Sequence, residues 1–259
     1  IQDAIQVREQ PEGPAWDGND FGTNSVRWVA STDASYGIGF ARHHPITGEV
    51  LKANITLHAD CVINRAAQFD EMVGPLGSAR AAQRARDDSQ DACALADRAS
   101  AQLGLGEAVL DLVEAPQSEK RAYLHQAIRW TVAHELGHVL GLGHNYRGSG
   151  MLPLRDLHNT AITQMRGLSA SIMDYLPPNL APLGEPQGDY FTGTLGAYDY
   201  LAIEYLYTPI DAATPEDELP ALRRIAARTS VPELSFGGED DDGSAPTAAD
   251  PLSGVWAVS

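Results

Sequence analysis

Apolar and polar positions change period several times along the chain, and each change marks an element. Ile5-Gln6-Val7 and Val26 to Ala30 alternate as strands do. Tyr36 to Arg42 and Val50 to His58 read as a hairpin closed around Pro45-Ile46-Thr47-Gly48. Ala66 to Ala101 is helical in pattern and holds eleven alanines, with a break near Gly74-Pro75-Leu76-Gly77. A long helix follows. Ser118 is its expected cap, Glu119 falls in its first turn, and the pattern runs to about Leu140. Beyond His144 the density of Gly, Pro and Asn predicts loops, with helical pieces near 154–166, 195–207 and 215–228. There are no internal repeats.

One stretch of the long helix carries chemistry. Trp130 to Asn145 reads W-T-V-A-H-E-L-G-H-V-L-G-L-G-H-N and contains H-E-x-x-H-x-x-G-x-x-H. Residues i and i+4 share a helix face, so His134 and His138 can reach one ion. Glu135 is turned about 100° from His134 around the axis, beside the ion rather than on it. Gly141 accepts the left-handed conformation that ends helices, which lets His144 return as third ligand. Three protein ligands leave a fourth position open, the mark of a catalytic zinc site. Five fixed positions would match by chance on the order of 10⁻⁵ of the time, so the surface-helix explanation carries little weight. Imidazoles also suit copper, iron and nickel. His125, nine residues before His134, lies about 13 Å away along the helix and cannot ligate the same ion. His158 reads as a surface or supporting histidine. His43-His44 is no metal pair, because adjacent strand residues face opposite ways.

Ser171-Ile172-Met173-Asp174-Tyr175 follows the third histidine by 27 residues. The pairing of the long zinc motif with a later S-x-M-x-Y resembles the metzincin clan of zinc endopeptidases. The resemblance implies that Met173 lies in a tight turn under the zinc. It implies that Tyr175 binds the zinc or stabilises the transition state. Gly196 to Tyr207 is similar to the C-terminal helix of that clan, and by analogy Asp199 braces the methionine turn through backbone N–H groups. A closer resemblance is to the catalytic regions of large bacterial multidomain zinc-dependent metalloproteases, first catalogued as domains of unknown function. It runs through Ala4 to Val7, Asn24 to Val29, Pro45 to Glu49, Ile128 to Ala133, Ser171 to Asn179 and Gln187 to Phe191. Asn145 follows the third histidine where better-known metzincin families use other residues.

The fold these observations imply is α+β and metzincin-like, a single catalytic domain over 1–259. A mixed β-sheet and the long zinc-binding helix form an upper lobe, 1–144. A loop-rich lower lobe, 145–259, holds the methionine turn and the C-terminal helix. At 259 residues and 43% hydrophobic, the chain can bury a core of that size.

Charge narrows the partners. The net charge is −17, and residues 211–259 hold ten acids and three bases, a net of −7. That balance disfavours nucleic acid and anionic membranes. Glu239-Asp240-Asp241-Asp242 reads as a solvated loop, with a structural calcium site as the alternative. No apolar run reaches the ~18 residues a span needs. Cys61 and Cys93 lack zinc-finger spacing, and the sequence leaves their pairing open. Asn54-Ile55-Thr56 fits a glycosylation acceptor but sits in a strand-like run. The chain starts at Ile1 rather than Met and reads as an excised fragment or a processed mature segment, with other domains of a longer parent expected. A secreted, periplasmic or cell-surface setting is expected.

The expected activity is zinc-dependent hydrolysis of peptide or protein substrates, with Glu135 as general base and Tyr175 on the oxyanion. The substrate is expected beside an edge strand around Ile55 to His58, with Leu176 to Leu180 shaping a side-chain pocket. The competing reading is an inactive zinc-containing peptide-binding or scaffolding module.

Overall fold

The structure is a computed structural model that describes residues 5–10, 12, 17–18, 20–29, 37–58 and 95–238. Strands β1 (Ser25–Val29), β2 (Gly37–His43) and β3 (Val50–His58) form one mixed sheet in the order β1-β3-β2. β1 runs parallel to β3, Ser25 opposite Asn54 and Val29 opposite His58. β2 and β3 are the expected antiparallel hairpin, Gly37 opposite Leu57 and His43 opposite Val50. Its turn is closed by His44, whose Nδ1 accepts from the Ile46 and Thr47 N–H groups. Ala53, Ile55 and Leu57 of β3 are buried while Asn54 and Thr56 between them are not, the alternation of a half-buried strand. Lys52 breaks that pattern: it is buried, and its ammonium donates to the carbonyls of Gly18, Asp20 (2.7 Å) and Thr23.

Five α-helices follow among the described residues. They are α1 (Leu95–Leu112), α2 (Gln117–Val139), α3 (Thr160–Arg166), α4 (Ala197–Tyr207) and α5 (Pro215–Ala226). Short 3₁₀ turns at Gly148–Met151, Leu154–Asp156, Ala227–Ser230 and Pro232–Leu234 complete the chain. No helix among these residues is long and apolar enough to cross a membrane. This is the α+β architecture expected of a metzincin.

α2 is the axis of the fold because both its sides are covered. Val139 and Leu136 near its C-terminus pack on Ala53 and Ile55 of the sheet. Its other side, Tyr123, Ala127 and Trp130, packs with Leu103 and Leu110 of α1 and with Ile172, Met173, Tyr190 and Phe191. Tyr123 meets Tyr190 edge-on at 5.2 Å, and Trp130 stacks on Phe191 at 5.8 Å. Gln126 of α2 accepts both the Tyr190 and Phe191 N–H groups at 2.7 and 3.2 Å. The lower chain is thereby seated on the helix that carries the histidines.

Three expectations are corrected. Ile5 to Val7 is not a strand: residues 5–10 are exposed and pair with nothing in the sheet, and an unpaired segment leaves its backbone groups to water. Ser118 does not cap α2. The helix starts directly after Pro116, whose carbonyl accepts from Glu119 at 2.9 Å, so Ser118 lies inside the first turn. β3, with Ile55 to His58, is not an edge. Both its sides are paired, and among the described residues the edges are β1 and β2. The alanine-rich pattern from 66 to 94, Cys61, Cys93 and the acidic run 239–242 lie outside the described residues. Its last part, from Leu95, opens α1, which continues to Leu112.

Candidate metal centre

His134 and His138 sit one turn apart on α2, and their rings meet at 4.8 Å between centroids. The helix ends at Val139 in a motif that redirects the chain. Gly141 has φ +89°, its N–H donates to His138 O at 2.9 Å, and Leu142 N–H donates to Gly137 O at 3.0 Å. That pair of bonds around a left-handed residue is the Schellman turn. It brings His144 back, with its ring 4.6 Å from His138 and 5.3 Å from His134. One nitrogen from each of the three lies within 4.8 Å of the others. No other such group of ligand side chains occurs among the described residues.

Tautomers decide whether the cluster suits a cation. His134 Nδ1 faces Ile172 O at 2.9 Å and His138 Nδ1 faces Leu142 O at 2.9 Å. A carbonyl only accepts, so each Nδ1 carries the proton and each Nε2 offers a lone pair. His134 Nε2 is buried and has no hydrogen-bond partner. Burial, with His138 beside it, lowers the His134 pKa to about 3, so the ring is neutral. An orphaned lone pair on a neutral imidazole, with two further imidazoles around it, fits a zinc ion, which takes nitrogen ligands and leaves a position for substrate.

Glu135 points to the other side of α2, towards the sheet. Its Oε2 accepts the N–H of Gly39 on β2. The approach is so close that a Cβ on Gly39 would lie 2.6 Å from Glu135 O and 2.9 Å from its Oε2. Burial raises the Glu135 pKa to about 7, with the Gly39 bond acting in the opposite direction. A carboxyl in that range can take up and give back a proton near neutral pH.

The floor under the histidines is the turn 169–175. Met173 is fully buried. It lies against Gly137 of α2, where a Cβ would stand 2.2 Å from its Sδ. Asp199, third residue of α4, accepts Ile172 N–H at 2.9 Å, the Ser171 hydroxyl at 2.7 Å and Gly196 N–H at 2.8 Å. Burial raises its pKa, and those three bonds pull the other way. Ser171 Oγ in turn accepts Met173 N–H at 3.1 Å. Ile172, the residue held by Asp199, presents its carbonyl to His134. The Tyr175 hydroxyl contacts His144 Nε2, and the two rings are 4.3 Å apart.

The structure thus brings His134, His138, His144 and Tyr175 together, carries Glu135 next to His134 on α2 but facing Gly39 of β2, and places Gly141, Met173 and Asp199 around the cluster. His43 stays apart, its Nε2 on Val139 O at 3.2 Å. His158 is tied to Gly188 N–H at 3.3 Å. Three residues escaped the sequence reading. Gly39 had a signal in the Gly37-Ile38-Gly39 spacing, since a glycine inside a strand marks close approach. Gly137 had one as a glycine inside a helix. Ser171 had none beyond its place in the S-x-M-x-Y run.

A family model described as Met-zincin matches residues 116–259, more than half of the chain. The matched region begins at the proline before α2 and takes in all three histidines, the turn at Met173 and α4. No curated protein and no solved structure matches the chain.

Proposed function

The chain belongs to the Met-zincin family, which with its three-histidine cluster suggests a zinc metallopeptidase, and we propose that it is an endopeptidase with Glu135 as general base. The observation that carries this reading is the Glu135 carboxyl, next to His134 on α2, buried against Gly39 of β2 and raised to about 7. A purely structural zinc site has no use for such a group.

His134, His138 and His144 would hold a zinc ion, which would supply Lewis-acid polarisation of the scissile carbonyl and lower the pKa of the attacking water towards about 7. Glu135 takes the water proton on Oε1, since Oε2 is engaged by Gly39, and returns it to the leaving amine. The Tyr175 hydroxyl, next to His144, donates to the oxygen that gains negative charge. Burial keeps His134 neutral against the pull of its bond to Ile172 O, and that bond turns Nε2 towards the ion, so the ring would hold the ion without competing for the proton. The peptide lies extended along β2, the edge strand against Glu135, and adds main-chain hydrogen bonds there. Leu176 to Leu180 shapes the pocket beyond the scissile bond. Asn179 stiffens that segment through its bonds to Leu157 O at 2.9 Å and Asp189 O at 2.8 Å.

The test is Glu135→Gln assayed on a mixed peptide library. It removes the base and leaves every ligand. Zinc content should hold at about one equivalent while turnover falls at least ~10³-fold. Cleavage at the wild-type rate would overturn the mechanism, and wild-type protein that binds zinc but cleaves nothing would overturn the activity.

A further inference from the structure

Asn145 directly follows the third histidine, and none of it is exposed to solvent. A buried carboxamide needs partners at both ends. Its Nδ2 donates to Ser235 O at 3.1 Å, and its Oδ1 accepts Gly237 N–H at 3.1 Å and Arg147 N–H at 3.3 Å. The side chain therefore pairs with the backbone on both sides of Phe236. Tyr146 N–H extends the pairing to Gly237 O at 2.8 Å. Towards the floor of the site, Asn145 N–H donates to Met173 O at 3.2 Å. Phe236 itself stacks on Tyr198 of α4, with ring centroids 5.8 Å apart and planes 20° apart. The next residue on α4 is Asp199, which holds the turn under the histidines.

We propose that Asn145 is a positioning residue for the metal, the joint through which Ser235–Gly237 clamps the third ligand and slows release of the ion. The inference rests on the reading of the three histidines as a zinc site. Two of those ligands need no such device. His134 and His138 are carried by one helix and oriented by carbonyls of Ile172 and Leu142. His144 lies past the helix end, where helical geometry no longer sets its place. A residue that ties its neighbour at once to the methionine turn and to a segment ninety positions downstream replaces that geometry. Partners outside the ligand shell typically change metal affinity 10–100-fold when removed.

The experiment mixes the zinc-loaded protein with a chromophoric zinc chelator and follows release, with a melting curve on each chelator-treated protein. Asn145→Leu keeps the shape and removes all three side-chain bonds. Phe236→Ala loosens the clamp from its half-exposed side and leaves Asn145 in place. Thr163→Val is the control, removing a buried hydroxyl that serves Asp189 rather than His144. Asn145→Leu should release zinc about 10–100-fold faster. Phe236→Ala should move in the same direction by a smaller factor, and Thr163→Val should release at the wild-type rate even where it melts lower. Wild-type release rates in both Asn145→Leu and Phe236→Ala would overturn the proposal, as would equal acceleration in Thr163→Val. If Asn145→Leu does not fold, Phe236→Ala decides alone. Wild-type protein that takes up no zinc would overturn the metal reading itself, a result distinct from all of these.

Discussion

The floor of the histidine cluster and the outer surface of the same chain are held by different kinds of bond. The floor uses short polar side chains that reach backbone groups: Asp199 on Ile172 and Gly196, Ser171 on Met173, Asn145 on Ser235 and Gly237. All are buried. The surface uses long side chains that reach each other: Arg228 on Glu204, Arg166 on Glu233, Lys120 on Asp111. Water can replace a partner at the surface and screens the charges there. Under the histidines it cannot, so a lost partner leaves an orphaned donor. The position of the three histidines is therefore set by small residues with no catalytic look, while the more conspicuous ion pairs contribute little.

Asp199→Ala should break the floor most severely. It strips partners from two backbone N–H groups and one hydroxyl at once. The expected loss is about 3–5 kcal/mol at 1–3 kcal/mol per orphaned group, allowing for some relaxation. Urea denaturation of chelator-treated protein measures it without stabilisation by bound metal. A loss under ~1 kcal/mol would mean that the floor is held some other way.

Asp174 gives the floor a pH dependence. Burial pushes its carboxyl from 3.8 up to about 7, against hydrogen bonds from Ser149, Ser169 and the Tyr175 N–H. Between about 4 and 7 the folded chain keeps this proton and the unfolded chain has lost it. Stability from this group is complete below about 4 and is lost as pH rises through about 7. Asp174→Asn should flatten that slope, changing the difference in stability between pH 4 and pH 8 by about 2–4 kcal/mol. Denaturation midpoints of both proteins at the two pH values check the sign. Parallel slopes in wild type and variant would remove Asp174 as the cause.

What the sequence disclosed divides along the same line. The hairpin, the long helix and α4 were legible because their signals are local: alternation, a 3.6 period, a Pro-Ile-Thr-Gly turn. That His134 and His138 share a face is a property of one helix. Contacts between distant positions left no periodic trace. Nothing in the run Gly37-Ile38-Gly39 names Glu135, 96 residues on, as what its missing side chain makes room for. Nothing in Asn145 points to Gly237, and nothing in Lys52 points to three carbonyls between residues 18 and 23. The misplaced edge strand has the same origin. Ile55 to His58 has the composition of any strand, and only the parallel pairing of β1 decides that β3 is central. Ile5 to Val7 shows the converse, a strand-like pattern without a partner.

Gly137→Ala tests the floor by packing alone. Alanine raises helix propensity over glycine by about 1 kcal/mol. Its Cβ would lie 2.2 Å from Met173 Sδ, and Met173 is fully buried with nowhere to withdraw. Overpacking of that kind costs about 1–3 kcal/mol, so the net should be a destabilisation of about 0–2 kcal/mol. A melting curve reads it, and a more stable variant would show that the turn yields easily.

Arg228→Ala probes the surface and should do least. The guanidinium Nη1 sits 2.7 Å from Glu204 Oε2 and links the turn after α5 to α4. By distance it is as good a bond as any in the floor. Both side chains are nearly half exposed, at 47% and 42%, so each partner regains water when the other goes. Exposed pairs of this kind are worth about 0–1 kcal/mol, and ordering two long side chains offsets part of that. The variant should lose less than ~0.5 kcal/mol in low salt and still less in 1 M salt, where screening acts within about 3 Å. Urea denaturation at both salt concentrations measures it. A loss approaching that of Asp199→Ala would erase the contrast between floor and surface. It would mean that α4 depends on its outer contacts as well as on the carboxylate at its start.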